Sequence, residues 1–141
     1  MRVLVLGLYA EGSTDHDFLP PVIQKTAERI LAQHEQCEVE ALVFPIEPSK
    51  SVKKDHAKGI LQAARDSFGY HALIVHADAD DPTPEKALSE RILPGYRLVQ
   101  HAKGQVCKHL VPIIPVQAIE AWVLADYELL LAEIRNRHQC S

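Results

Sequence analysis

Two kinds of apolar spacing take turns along the chain. Val3 to Ala10 is an unbroken apolar run rich in Val and Leu, the pattern of a parallel strand covered on both faces by helices, and it is expected to be the central strand. The spacing then changes. Phe18, Val22, Ile23, Ala27, Ile30 and Leu31 recur at helical intervals through about His34, behind a Gly12-Ser13-Thr14-Asp15 turn that supplies cap candidates. Pro20-Pro21 either interrupts that helix or marks its first turn. A second strand is expected near Val39 to Pro45, a polar loop from Glu47 to Lys54 and a helix from about Asp55 to Ser67.

His71 to Ala77 reads as a third strand, and it runs straight into Asp78-Ala79-Asp80-Asp81-Pro82. Pro84 to Ile92 reads as a short helix, Gly95 to Gly104 as irregular, Leu110 to Val116 as a fourth strand and Ala118 to about Ile134 as a strongly apolar helix. Strand and helix alternate throughout. The pattern predicts one α/β domain over residues 1–141, a three-layer Rossmann-like fold with a mainly parallel sheet of about four strands flanked by helices.

Composition narrows the partners. A hydrophobic content of 47% suffices for one buried core. With 19 acidic against 15 basic residues the formal charge is -4, so no global positive field draws in nucleic acid, and any such contact is local or metal-mediated. Cys37, Cys107 and Cys140 are odd in number and widely spaced, which argues against a disulfide framework or a zinc ribbon and fits a reducing cytoplasm. The first apolar run soon meets Glu11 and Asp15 and lacks a small-residue cleavage pattern, so it reads as a strand rather than a signal peptide. No apolar stretch approaches the roughly 18 residues that span a bilayer, and no membrane partner is expected.

The acids carry the candidate chemistry. In an open parallel sheet, ligands bind beyond the carboxyl ends of the strands, and Glu11 and Asp78 each follow such an end. If strands one and three are neighbours, Glu11, Asp78 and Asp80 converge, and like charges that close require a cation or raised pKa values. Mg²⁺ or Mn²⁺ suits hard oxygen ligands offered without thiolate or paired imidazole. Asp15, one turn into the first helix, and Asp81 are candidates for a second ion. Taken singly, Asp15 also suits a helix cap, and the segment from Asp78 to Pro82 suits a plain turn. Taken together, Glu-Gly after one buried strand and Asp-x-Asp after another point to a site.

Glu11-Gly12 and Asp78-Ala79-Asp80 resemble the two signature motifs of Toprim domains, the superfamily of topoisomerases, primases, recombination mediators and overcoming-lysogenization-defect nucleases. The segment Glu11-Gly12-Ser13-Thr14-Asp15 with Phe18-Leu19, and the later Pro115, Glu120-Ala121-Trp122 and Leu124-Ala125-Asp126, look closer still to small bacterial Toprim-like proteins. The likeness covers nearly the whole chain. It implies that Glu11, Asp78 and Asp80 are catalytic and hold one or two Mg²⁺ ions, with Asp15 as the acid one helical turn on. It also implies DNA or RNA as partner, in a setting of bacterial defence or repair. A tyrosine-bearing topoisomerase domain, a zinc or primer-synthesis module and a P-loop are all missing. Among the family's activities that leaves a stand-alone Mg²⁺-dependent nuclease, unless a companion protein supplies the rest.

Two ions at such a site clamp the scissile phosphate, and Glu11 can double as proton shuttle. Lys50, Lys53, Lys54, Lys58, Lys103 and Lys108 are the basic groups available to offset charge in the transition state, or else form a solvated face. Glu120 suits either a helix first turn or the site edge, and Trp122 sits in an apolar helical stretch as packing would have it. No histidine pair has zinc-protease spacing. His76, two before Asp78 and on its face by strand alternation, is the best placed, with His16 and His56 nearer the opening. Competing readings are a non-catalytic scaffold for a protein or nucleic acid, and a metal-dependent hydrolase of small phosphoesters.

Overall fold

The computed structural model describes residues 2–10, 15–34, 38–47, 55–78 and 82–115. Strand β1 (Arg2–Tyr9) is followed by α1 (Asp15–His34), β2 (Val39–Pro45), α2 (His56–Asp66) and β3 (Ala72–His76). Then come the single turn α3 (Glu85–Ala87), a π-helical turn (Leu88–Ile92), α4 (Leu93–His101) and β4 (Leu110–Ile113). The four strands form one all-parallel sheet in the order β2-β1-β3-β4. The β1 run is therefore an interior strand, as its unbroken apolar character requires.

Each face of the sheet carries its own core. On one face Leu6, Leu8 and Ala10 of the β1 segment and Ile74 of β3 pack against Leu19 and Ile23 of α1. On the other, Tyr9, Leu73, Val75 and Ala77 pack against Ile60, Ala63 and Ala64 of α2 and Val99 of α4. This is the three-layer α/β architecture of Rossmann- and Toprim-like folds. Fully buried Leu8, Leu73, Val75 and Ile60 contribute about 1.5–3 kcal/mol apiece relative to exposure.

Two local expectations change. Pro20 and Pro21 lie inside α1, which starts at Asp15 and continues through both. They remove backbone donors but do not break the helix, because Leu19 and Ile23 on either side are buried against the sheet. Gly95 to Gly104, expected to be irregular, is mostly helix: α4 covers Leu93–His101. Pro94 stands in its first turn, where a missing donor costs nothing. Gly95 is buried, and a Cβ there would run into the Ile60 side chain of α2, so this glycine marks close helix packing rather than a loop. The expected short helix from Pro84 to Ile92 is one α turn followed by the π turn.

Among the described residues, no helix is long and apolar enough to cross a membrane.

Candidate functional site

From β1 the chain crosses outward to β2, returns through α2 to β3 on the far side of β1, and continues outward to β4. The winding direction thus reverses between β1 and β3. In such sheets the crevice beyond the carboxyl ends at the reversal is where ligands bind. Tyr9, the last residue of β1, pairs with Val75 of β3. Asp78 follows Val75 by three residues, and Glu11 follows Tyr9 by two.

Asp78 is the candidate acid whose side chain is placed. Its carboxylate is 41% exposed, and its Oδ1 stands 3.5 Å from Nε2 of His76, an imidazole with no exposed surface. Alternation along the strand brings the two to one face, as the sequence led us to expect. Ala77 between them is buried on the other face, and its N–H donates to the Ile113 carbonyl of β4 at 3.1 Å. The strand exit is therefore held by β4 up to the residue before Asp78.

Arg91 holds the next link. Its Nη1 donates to the main-chain oxygen of Asp78 at 3.1 Å. Arg91 belongs to the π turn Leu88–Ile92, and widened turns of this kind are frequent at functional sites because they re-aim side chains. Sequence reasoning missed this residue, since its position in a short amphipathic segment gives no signal.

Beside β1 stands the start of α2. Asp55 caps that helix, its Oδ1 accepting from the Lys58 N–H at 3.2 Å, and Lys58 Nζ lies 4.0 Å from Asp55 Oδ2. Lys58 is thereby engaged at the cap. The His56 ring packs on Tyr9 with centroids 5.3 Å apart and planes at 57°. Tyr9 is 4% exposed, its hydroxyl directly against the backbone of Gly59, where any Cβ would collide with it. Tyr9 too was missed, hidden as one more apolar residue in the first run.

On the far rim, Glu85 opens α3. The Thr83 hydroxyl, with the backbone N–H of Glu85 itself, holds its carboxyl below the usual carboxylate range.

The other expected site residues divide by place. Glu11, Asp80, Asp81, Glu120, Trp122, Lys50, Lys53 and Lys54 lie outside the described residues, as does the helix expected from Ala118 to Ile134. Asp15 is the first residue of α1, and its side chain and that of His16 are outside the description as well. Lys103 and Lys108 are exposed near the start of β4, at the opposite edge from Asp78. Cys107 is a buried free thiol under that same edge.

Comparison with protein families, with curated proteins and with solved structures gives no match to this chain.

Proposed function

We propose that the carboxyl edge between β1 and β3 is a Mg²⁺- or Mn²⁺-dependent phosphodiester site of the Toprim type, and that the protein is a nuclease acting on DNA or RNA. One observation carries the reading. The winding reversal falls between the two strands whose exits bear Glu11 and the Asp78-x-Asp80 pair. Glu11 follows Tyr9 by two residues and Asp80 follows Asp78 by two, which is the chain order that a shared acidic crevice requires. The half-exposed carboxylate of Asp78 offers the hard oxygen donor such ions select.

Glu11, Asp78 and Asp80 would hold the first ion, with Asp15 and Asp81 toward a second. Bound there, the metal supplies charge neutralisation for the phosphate and a more acidic water. The protein's own part is orientation. His76 stands against one carboxylate oxygen of Asp78, and Arg91 fixes the carbonyl of the same residue. Asp78 is thus fixed at its main chain by Arg91, with the buried His76 ring packed beside its carboxylate, before any ligand arrives, which lowers the ordering cost of binding. Glu11 would accept the proton of the attacking water.

The test is cleavage of plasmid, single-stranded DNA and RNA in Mg²⁺ or Mn²⁺, with the Asp78→Asn/Asp80→Asn variant alongside. We expect cleavage by the parent and a loss of at least a hundredfold in the variant, as for removal of a metal ligand set. Equal cleavage by both would discard the assignment. Calorimetric titration showing no ion bound at millimolar Mn²⁺ would favour a scaffold, and turnover of mononucleotides alone a small phosphoester hydrolase.

A further inference from the structure

Charge is distributed unevenly along a chain whose formal total is -4. The stretch from Arg91 to Pro115 holds four of the 15 Lys and Arg residues, two histidines and none of the 19 acids. The fold gathers most of these at one place. Helices α2 and α4 both end, and β3 and β4 both begin, at the amino edge of the sheet, the edge opposite Asp78.

Hydrogen bonds knit that edge together. The Cys107 N–H donates to the Ala64 carbonyl near the end of α2 at 2.8 Å, and the Leu73 N–H to the His109 carbonyl at 2.8 Å. Gln100 Nε2, in the last turn of α4, donates to the Lys108 carbonyl at 3.1 Å. Val106 and Cys107 are buried beneath. Lys108 therefore lies between the two helix ends on a pinned segment, with Arg65, Lys103 and Lys108 all exposed. The C-terminal dipoles of α2 and α4 account for cations in their last turns, but not for Lys103 and Lys108, which lie beyond both. Among the described residues, Asp66 belongs to the same edge, accepting from Gln62 Nε2 at 3.1 Å, and Glu38 and Glu40 stand farther along it at the start of β2, separated from β4 by two strands. Phe68, whose N–H donates to the Arg65 carbonyl at 3.2 Å, is 52% exposed, a large apolar ring left in water next to a guanidinium-bearing residue.

We infer that this amino edge is a platform for single-stranded nucleic acid, remote from the acidic edge. Successive phosphates lie on Arg65, Lys103 and Lys108, and one unstacked base lies on Phe68. Cations spread over two helix ends and a segment match a row of phosphates rather than one enclosed phosphate group. An open aromatic face selects bases that are free to stack, which a duplex withholds. The five residue steps from Leu73 to Asp78 separate the two edges by about 17 Å along the strand direction. What the platform serves rests on the phosphodiester reading above; that it binds does not.

The experiment is fluorescence anisotropy of a labelled 20-nucleotide thymidine strand in EDTA, where cleavage cannot occur. Three neutralised phosphates predict a slope of log affinity against log salt of about -2. Lys103→Gln/Lys108→Gln, at two exposed positions, should bind more than tenfold more weakly with a slope reduced by about 1.4. Phe68→Ala should weaken binding about tenfold and leave the slope unchanged. Unchanged affinity in the double lysine variant overturns the platform, as does equal displacement by polyglutamate, or binding to anionic phosphatidylserine vesicles but not to the strand. A strand bound through these residues yet never cleaved with Mg²⁺ or Mn²⁺ removes the nuclease and leaves the platform standing. Cleavage with no effect of the lysine substitutions on binding does the reverse.

Discussion

Arg91 Nη1 donates a 3.1 Å hydrogen bond to the main-chain oxygen of Asp78, across a sequence separation of 13. A charged donor on a carbonyl is worth about 1.5–3 kcal/mol when enclosed, and partial exposure reduces that toward about 1 kcal/mol. Arg91→Met should therefore lower the melting temperature by only a few degrees. It should weaken Mn²⁺ binding more clearly, by about tenfold, which corresponds to ~1.4 kcal/mol. Arg91→Lys keeps the charge but not the planar fork and should fall between. Melting curves and Mn²⁺ calorimetry on the three proteins check this.

Gly59 and Tyr9 are coupled by contact. A methyl group at Gly59 would collide with the Tyr9 hydroxyl, and both residues are buried. Alanine gains about 1 kcal/mol of helix propensity over glycine, while overpacking costs roughly 1–3 kcal/mol. Gly59→Ala should thus be destabilising in the parent. In a Tyr9→Phe background the obstructing oxygen is gone, and the same substitution should be neutral or stabilising. Denaturant titration of the four proteins gives the coupling; a coupling near zero would mean that Tyr9 moves aside freely.

The layers were readable because burial on both faces leaves an unmistakable run. Val3 to Ala10 and His71 to Ala77 could only be interior strands, and the acids at their exits followed from chain order. Pro94-Gly95 misled for a physical reason. Local propensity treats the pair as a break, whereas Pro94 occupies a first turn that tolerates it and Gly95 admits Ile60. Arg91 and Tyr9 were invisible because their roles come from partners 13 and 50 residues away, Asp78 and Gly59. Strand neighbours, which decide whether Glu11 and Asp78 share a crevice, are likewise a property of topology and not of spacing.

Among the described residues strand β2 is an edge, and the Glu28 side chain lies over part of it. The Ile46 N–H donates to Leu8, and the Glu38 carbonyl accepts from Arg2, so even-numbered residues of this segment face β1 and odd-numbered ones face outward. The outward Ala41 N–H donates instead to Glu28 Oε1 of α1 at 3.1 Å. A carboxylate laid over an edge blocks pairing with another strand. Glu28→Ala should lose about 1–2 kcal/mol and self-associate at high concentration, while Glu28→Gln keeps an acceptor oxygen and should remain like the parent. Sedimentation velocity across a concentration series reads the difference.

His76 distinguishes a packing role from a positioning one. Its imidazole is fully buried, beside the Ile74 and Ile113 side chains of the same sheet face, with Nε2 3.5 Å from Asp78 Oδ1. His76→Ala leaves a cavity and should cost about 2–4 kcal/mol, as other large-to-small core changes do. His76→Leu fills most of the same volume without the polar atoms, so its melting temperature should stay within a few degrees of the parent's. If the ring only fills space, His76→Leu will also bind Mn²⁺ like the parent. We expect otherwise: with the imidazole gone, the Asp78 carboxylate regains rotamer freedom, and freezing it on ion binding costs on the order of 0.5–1 kcal/mol. That corresponds to Mn²⁺ affinity reduced about two- to fivefold at unchanged stability. The pairing of an intact melt with a weakened ion is a result that a core-filling histidine cannot produce.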